Sequence, residues 1–136
     1  MSNRTIYYFL NFTWGVIMTV IGLLAAASLT CFGKKAGTFN GCLWFGVGEH
    51  WGAVNLGIVI ITDKDTSIST LKHEYGHSIQ NAMYGILFPF IVGAPSFLRC
   101  CKRKILMAKG VELGPYDAVW YEGQATALGN KFAGGL

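Results

Sequence analysis

The chain is 136 residues long and 52% hydrophobic, with 14% aromatic and only 13% charged side chains, about half the charged share of an average soluble domain. So much apolar surface rules out a disordered or collagen-like chain, and the length suits one domain built on one core. The net charge of +4 is gathered at Lys34–Lys35 and Arg99–Lys104, each behind a long uncharged stretch; that is membrane-flanking placement, not the basic, aromatic-interleaved face of a nucleic-acid binder, so no nucleic-acid partner is expected.

From Ile6 to Thr30 there are 25 residues without a charge, against about 20 needed to cross a bilayer core as a helix. Residues 1–33 are therefore expected to form a membrane anchor helix. The run is too long for the apolar core of a cleaved signal, and only Arg4 precedes it. Ala25-Ala26-Ala27-Ser28 keeps a cleaved signal as a second reading, ranked below the anchor, and a buried helix of a soluble core is the third, for which Asn11, Thr13 and Gly15 leave room. One arginine before the span and two lysines after it place the following residues, 34–136, in the cytoplasm.

Leu43–Gly48 and Val54–Thr62 are short, rich in β-branched and aromatic residues, and bounded by turn residues. They are predicted to be two strands of an antiparallel hairpin turning through Glu49–Ala53. Gly46-x-Gly48 is no nucleotide loop, because the next glycine is Gly52 and the spacing fails. Thr66 or Ser67 can cap the next helix, a hydroxyl accepting from an orphan amide. The four cysteines, at 31, 42, 100 and 101, form no C-x-x-C pair and read as free thiols of a reducing compartment.

That helix carries His73-Glu74-Tyr75-Gly76-His77, the pattern H-E-x-x-H. Four-residue spacing puts both imidazoles on one helical face, where they can grip one zinc ion. Glu74, about 100° round the helix from His73, lies beside such an ion without ligating it, the place of a general base. Gly76 lowers helix propensity by about 1 kcal/mol, which suggests that a backbone or ligand approaches closely there. Gln80 falls on the ligand face, as a hydrogen-bond donor behind the site or simply a polar residue at its edge, and Tyr84, one turn on, is expected in the core.

Ile79–Leu98 is again uncharged, but Gly85, Pro89, Gly93 and Pro95 interrupt it. A single crossing would also separate the two basic clusters, so a re-entrant or surface-lying helical hairpin is expected. Pro115 opens a predicted helix over Tyr116–Leu128, closed by Gly129. A catalytic zinc usually has a third protein ligand. The candidates are Glu49, His50, Glu112, Asp117 and Glu122. Glu122 is chosen, because a carboxylate on so apolar a helix needs a partner, whereas the helix dipole already explains Asp117.

His73–Gln80 together with Tyr116–Thr126, and the Leu10–Gly15 and Trp51–Thr62 stretches, resemble a group of small bacterial membrane-associated proteins similar to gluzincin-type metallopeptidases. The resemblance implies a zinc peptidase with its third ligand, a glutamate on a later helix, at Glu122. The expected fold is α+β and mostly helical: an N-terminal transmembrane helix, a short antiparallel hairpin, the H-E-x-x-H helix, a helical hairpin and a C-terminal helix carrying Glu122. The expected activity is hydrolysis of peptide or protein substrates at the bacterial cytoplasmic membrane, on its cytoplasmic face. Zinc would be the cofactor, His73, His77 and Glu122 its ligands and Glu74 the base, with Tyr116, Tyr121 or His50 available to the oxyanion. The rival reading is a non-catalytic zinc-binding membrane scaffold or regulator. An intramembrane protease is disfavoured because Lys72 and the Asp63-Lys64-Asp65 turn flank the motif.

Overall fold

A computed structural model describes residues 2–34 and 36–134; Lys35, half of the first basic pair, lies outside them. The order of elements is α1 (Asn3–Phe12), α2 (Val16–Cys31), β1 (Ala36–Phe39), β2 (Cys42–Gly46), β3 (Ala53–Leu56), β4 (Val59–Thr62), α3 (Ile68–Tyr84), α4 (Ala94–Ala108) and α5 (Trp120–Phe132). A 3₁₀ turn (Gly85–Leu87) and a π turn (Pro89–Gly93) join α3 to α4, and a second 3₁₀ turn (Tyr116–Ala118) precedes α5. The mostly helical α+β fold expected above is what forms.

The uncharged amino-terminal run is not one straight helix. It breaks at Thr13–Gly15 into α1 and α2, bent by 87°. Three buried polar groups stitch the corner. The Asn81 side-chain amide donates to Asn11 Oδ1 (2.7 Å) and to the Gly15 carbonyl (3.0 Å), and the Thr19 hydroxyl donates to the Asn11 carbonyl (2.7 Å). Gly15 is required there, since a Cβ would lie 2.5 Å from Asn81 Nδ2. Among the described residues no single helix is long and apolar enough to cross a membrane. Two bent pairs reach that length and composition together, α1 with α2 and Ile68–Leu87 with Pro89–Ala108.

The sheet also differs from the predicted hairpin. Its order is β1-β2-β4-β3, with β2 and β4 parallel and the outer pairs antiparallel. The stretch Val54–Thr62 is itself the hairpin, turning at Gly57, whose φ of 66° suits glycine. β4 therefore inserts between β2 and β3, and of the expected turn only Glu49–Gly52 connects, Ala53 being the first residue of β3. Val59 and Ile60 of β4 and Cys42 and Phe45 of β2 are buried with Tyr7, Ala26, Leu71, Tyr75 and Ile79 in the main core. β3 is left as an edge strand facing α3 and the π turn.

The apolar stretch after α3 turns back as expected, by 118°, and Trp14 packs on Gly85 at the bend, where φ is +58°. The carboxy-terminal helix begins later than predicted, at Trp120, because Val119 is extended (ψ 146°). It also runs past Gly129 to Phe132. Gly129 is no cap: a Cβ there would meet the Lys72 carbonyl oxygen at 1.8 Å, just as one on Gly76 would meet that of Ala125 at 1.8 Å. These paired glycines let the backbones of α3 and α5 cross in direct contact.

Candidate metal centre

Ser67 caps α3, accepting from the Thr70 amide at 3.1 Å, and so fixes the helical phase of the H-E-x-x-H motif. His73 and His77 lie one turn apart, ring centroids 4.8 Å apart and nearly perpendicular at 87°. The crossing at Gly76 and Gly129 lays the first turn of α5 over them. Glu122 there is fully buried. Its Oε2 lies 2.9 Å from His73 Nε2 and 3.2 Å from His77 Nε2, and the ligand atoms of the three residues all lie within 4.8 Å of one another.

Each of these groups is held from behind. His73 Nδ1 is 2.9 Å from the Thr126 hydroxyl, and His77 Nδ1 donates to Gln80 Oε1 at 2.7 Å. Both Nε2 atoms are thereby aimed at Glu122, as second partners aim metal-binding imidazoles. The Ser96 hydroxyl, from the start of α4, donates to the other carboxylate oxygen, Oε1. Gln80 in turn donates to the Tyr121 carbonyl (2.8 Å) and to Gln124 Oε1 (2.9 Å), and Tyr84 also donates to Gln124 (2.7 Å). Gln80 stands at the site as expected, though it accepts from His77 and does not donate to it, and half-buried Tyr84 packs on the smaller core of Met18, Phe88 and Val92 while its hydroxyl joins this network. Ser96, Thr126 and Gln124 are absent from the sequence-based expectation. Thr126 has a usable signal, standing four residues after Glu122 on the same face of α5; Ser96 has none.

Burial by itself would favour a protonated Glu122 and a neutral His77. The bonds from His73, His77 and Ser96 overcome it and hold the Glu122 carboxyl well below the usual carboxylate range. For His77, burial is outweighed by the Glu122 bond and the charges of Glu74 and Glu122, which raise its pKa. Glu74 is only 7% exposed, and burial raises its carboxyl against the partial relief from His77 and His73.

The donor set suits zinc. Tetrahedral ligands with bonds of about 2.0–2.1 Å stand roughly 3.4 Å apart, so separations of 2.9 and 3.2 Å need to open by only a few tenths of an ångström. Two imidazoles and a buried carboxylate leave room for a fourth ligand on the side where His73 and Glu74 line a cavity of about 480 Å³. Glu49, His50 and Glu112 are exposed and outside the cluster, while Asp117 lines that cavity without reaching the imidazoles. Of the candidate oxyanion donors, Tyr116 lines the cavity with His73 and Glu74, its ring centroid 5.9 Å from that of His73. Burial and the Glu122 charge keep its phenol protonated far above neutrality. Arg99 and Arg103 pack on the Tyr116 ring at 5.6 and 5.4 Å, and donate to the Tyr116 and Gly114 carbonyls at 2.7 and 2.8 Å. Two residues of the second basic cluster therefore hold the segment that carries this tyrosine. No family model, curated protein or solved structure matches the chain.

Proposed function

We propose that the protein is a membrane-associated zinc metallopeptidase. The observation that carries this reading is the convergence of Glu122 on His73 and His77, with Glu74 beside them at a cavity bordered by an edge strand. Zinc held by these three ligands would supply Lewis acidity and lower the pKa of water towards about 7. Glu74, its carboxyl raised by burial, takes the proton of the attacking water and delivers it to the leaving amine. β3 pairs with the main chain of an extended substrate. The Tyr116 phenol donates to the carbonyl oxygen as charge develops on it.

Membrane association is supported by surface that water does not favour. Ile17, Val20, Ile21 and Leu24 are exposed on α2, and Phe90, Phe97 and Leu98 on the returning segment. The charge asymmetry around the first stretch supports a cytoplasmic site. The reading is tested with purified wild type beside Glu74→Gln, assayed for metal content by mass spectrometry and for cleavage of a mixed peptide digest. Both proteins should carry one zinc, and Glu74→Gln should cleave at least about 100-fold more slowly, in line with loss of a general base. Zinc at full occupancy with no cleavage by wild type would instead support the scaffold reading.

A further inference from the structure

A cavity of about 640 Å³ shares no residue with the one at His73 and Glu74. It is lined by Gly33 and Lys34, just past α2, by Gly37 of β1, Trp44 and Gly46 of β2, and by Lys64, just past β4. No acidic side chain lines it: Asp63 and Asp65 flank Lys64 in the chain but are not in the wall. Among the described residues the ion pairs are those of Glu122 with His73 and His77, so neither lysine is neutralised. Two ammonium groups beside one cavity repel each other and attract an anion.

Trp44 gives this cavity an aromatic wall. Its indole N–H donates to the Thr62 hydroxyl at 2.9 Å, which fixes the ring. Gly37 stands opposite Trp44 in the ladder of β1 and β2, and a Cβ there would lie 3.4 Å from Trp44 Cε3. With only hydrogen at that position the ring face stays open. Indole beside lysine is the pairing that bilayer interfaces favour, the ring at headgroup level and the ammonium groups near phosphate.

The place of the cavity in the fold names the source of the anion. α2 exposes Ile17, Val20, Ile21 and Leu24. Directly after its last residue comes Phe32, 80% exposed and the most exposed large apolar side chain among the described residues. The apolar surface of α2 therefore leads through Phe32 to Gly33 and Lys34. We propose that the cavity binds the headgroup of an anionic glycerophospholipid, its phosphate held by Lys34 and Lys64, its glycerol against Trp44 and its acyl chains running back past Phe32 along α2. This rests on the membrane association in the proposed function and not on the zinc chemistry. Free phosphate would satisfy the lysines but leave the apolar path unused, and a choline head would bring its own cation between them.

The test titrates the full chain, in neutral maltoside micelles, with dihexanoyl phosphatidylglycerol, dihexanoyl phosphatidylcholine or inorganic phosphate, followed by calorimetry. Phosphatidylglycerol should fill one saturable site, at least about tenfold more tightly than either of the others. Lys34→Gln with Lys64→Gln should weaken it roughly 30-fold, the worth of two lysines at an anionic surface. Gly37→Gln fills the cavity without changing its charge, meets only Trp44 carbon atoms at its Cβ, and should weaken binding at least about tenfold. Lys102→Gln with Lys109→Gln removes as much charge from exposed positions outside the cavity and should bind as wild type. Phosphatidylcholine or inorganic phosphate binding as tightly as phosphatidylglycerol, an equal loss in the control pair, or no loss in Gly37→Gln overturns the proposal. If Gly37→Gln fails to fold, the two lysine pairs decide alone. Wild type that floats with neutral vesicles yet shows no phosphatidylglycerol site removes this proposal and leaves membrane association standing. A saturable site in a protein that floats with no vesicles does the reverse.

Discussion

The buried carboxylate of Glu122 depends on neighbours that never touch a cation. Gln80 holds His77 Nδ1 and also spans to Tyr121 and Gln124 on α5. Gln80→Leu roughly keeps the volume but frees the imidazole and removes both bonds from Gln80 to α5. Zinc affinity should fall about 10–100-fold, read by chelator competition. Thr126→Val, which removes only the His73 partner, should stay at the low end of that range. An unchanged affinity in both would mean that the imidazoles are oriented by something else. Thiol chemistry checks the packing of β2 against α1 and α3. Cys42 is fully buried and its thiol is raised by that burial, whereas Cys31 and Cys101 are exposed. Native protein should label fast at Cys31 and Cys101, and at Cys42 only on unfolding.

Between elements, the decisive contact is the crossing of α3 and α5. Gly76→Ala or Gly129→Ala drives a methyl group to 1.8 Å from a backbone oxygen of the opposite helix, where no rotamer change can relieve it. Each should cost about 1–3 kcal/mol of stability, a fall of roughly 3–10 °C in Tm, and each should lower zinc occupancy by displacing Glu122. Thermal melts and metal analysis of the two variants check this; a stable, fully loaded Gly76→Ala would show that the helices have slack. Gly76 is readable in the sequence because a glycine inside a strong helical motif asks for a reason. Gly129 reads wrongly as a cap because the same residue serves as a stop signal and as a contact point, and only the position of Lys72 distinguishes them. The motif and Glu122 are legible because their chemistry is written in residue types. The strand order is not, since a parallel pairing of β2 with β4 depends on contacts that no local pattern encodes. The corner at Gly15 is hidden likewise: its partner, Asn81, is 66 residues away.

Across the whole molecule, exposed apolar groups on α2 and on the segment from Ile86 to Leu98 form the surface on which the proposed membrane association rests. Val20→Asp with Leu24→Asp alters two side chains that are 48% and 65% exposed and remote in sequence from His73, His77 and Glu122. The double variant should leave zinc occupancy intact and shift the protein out of the floating fraction in a liposome flotation assay. Continued flotation would place the lipid contact elsewhere. The meeting of α3 and α5 also has a consequence in time. During synthesis the two imidazoles leave the ribosome at least 45 residues ahead of the carboxylate, so a nascent chain lacking Trp120–Phe132 owns two of the three donors and no means to close the set. On the proposed reading, hydrolytic competence is withheld from every nascent copy that lacks α5 and granted only when that helix docks.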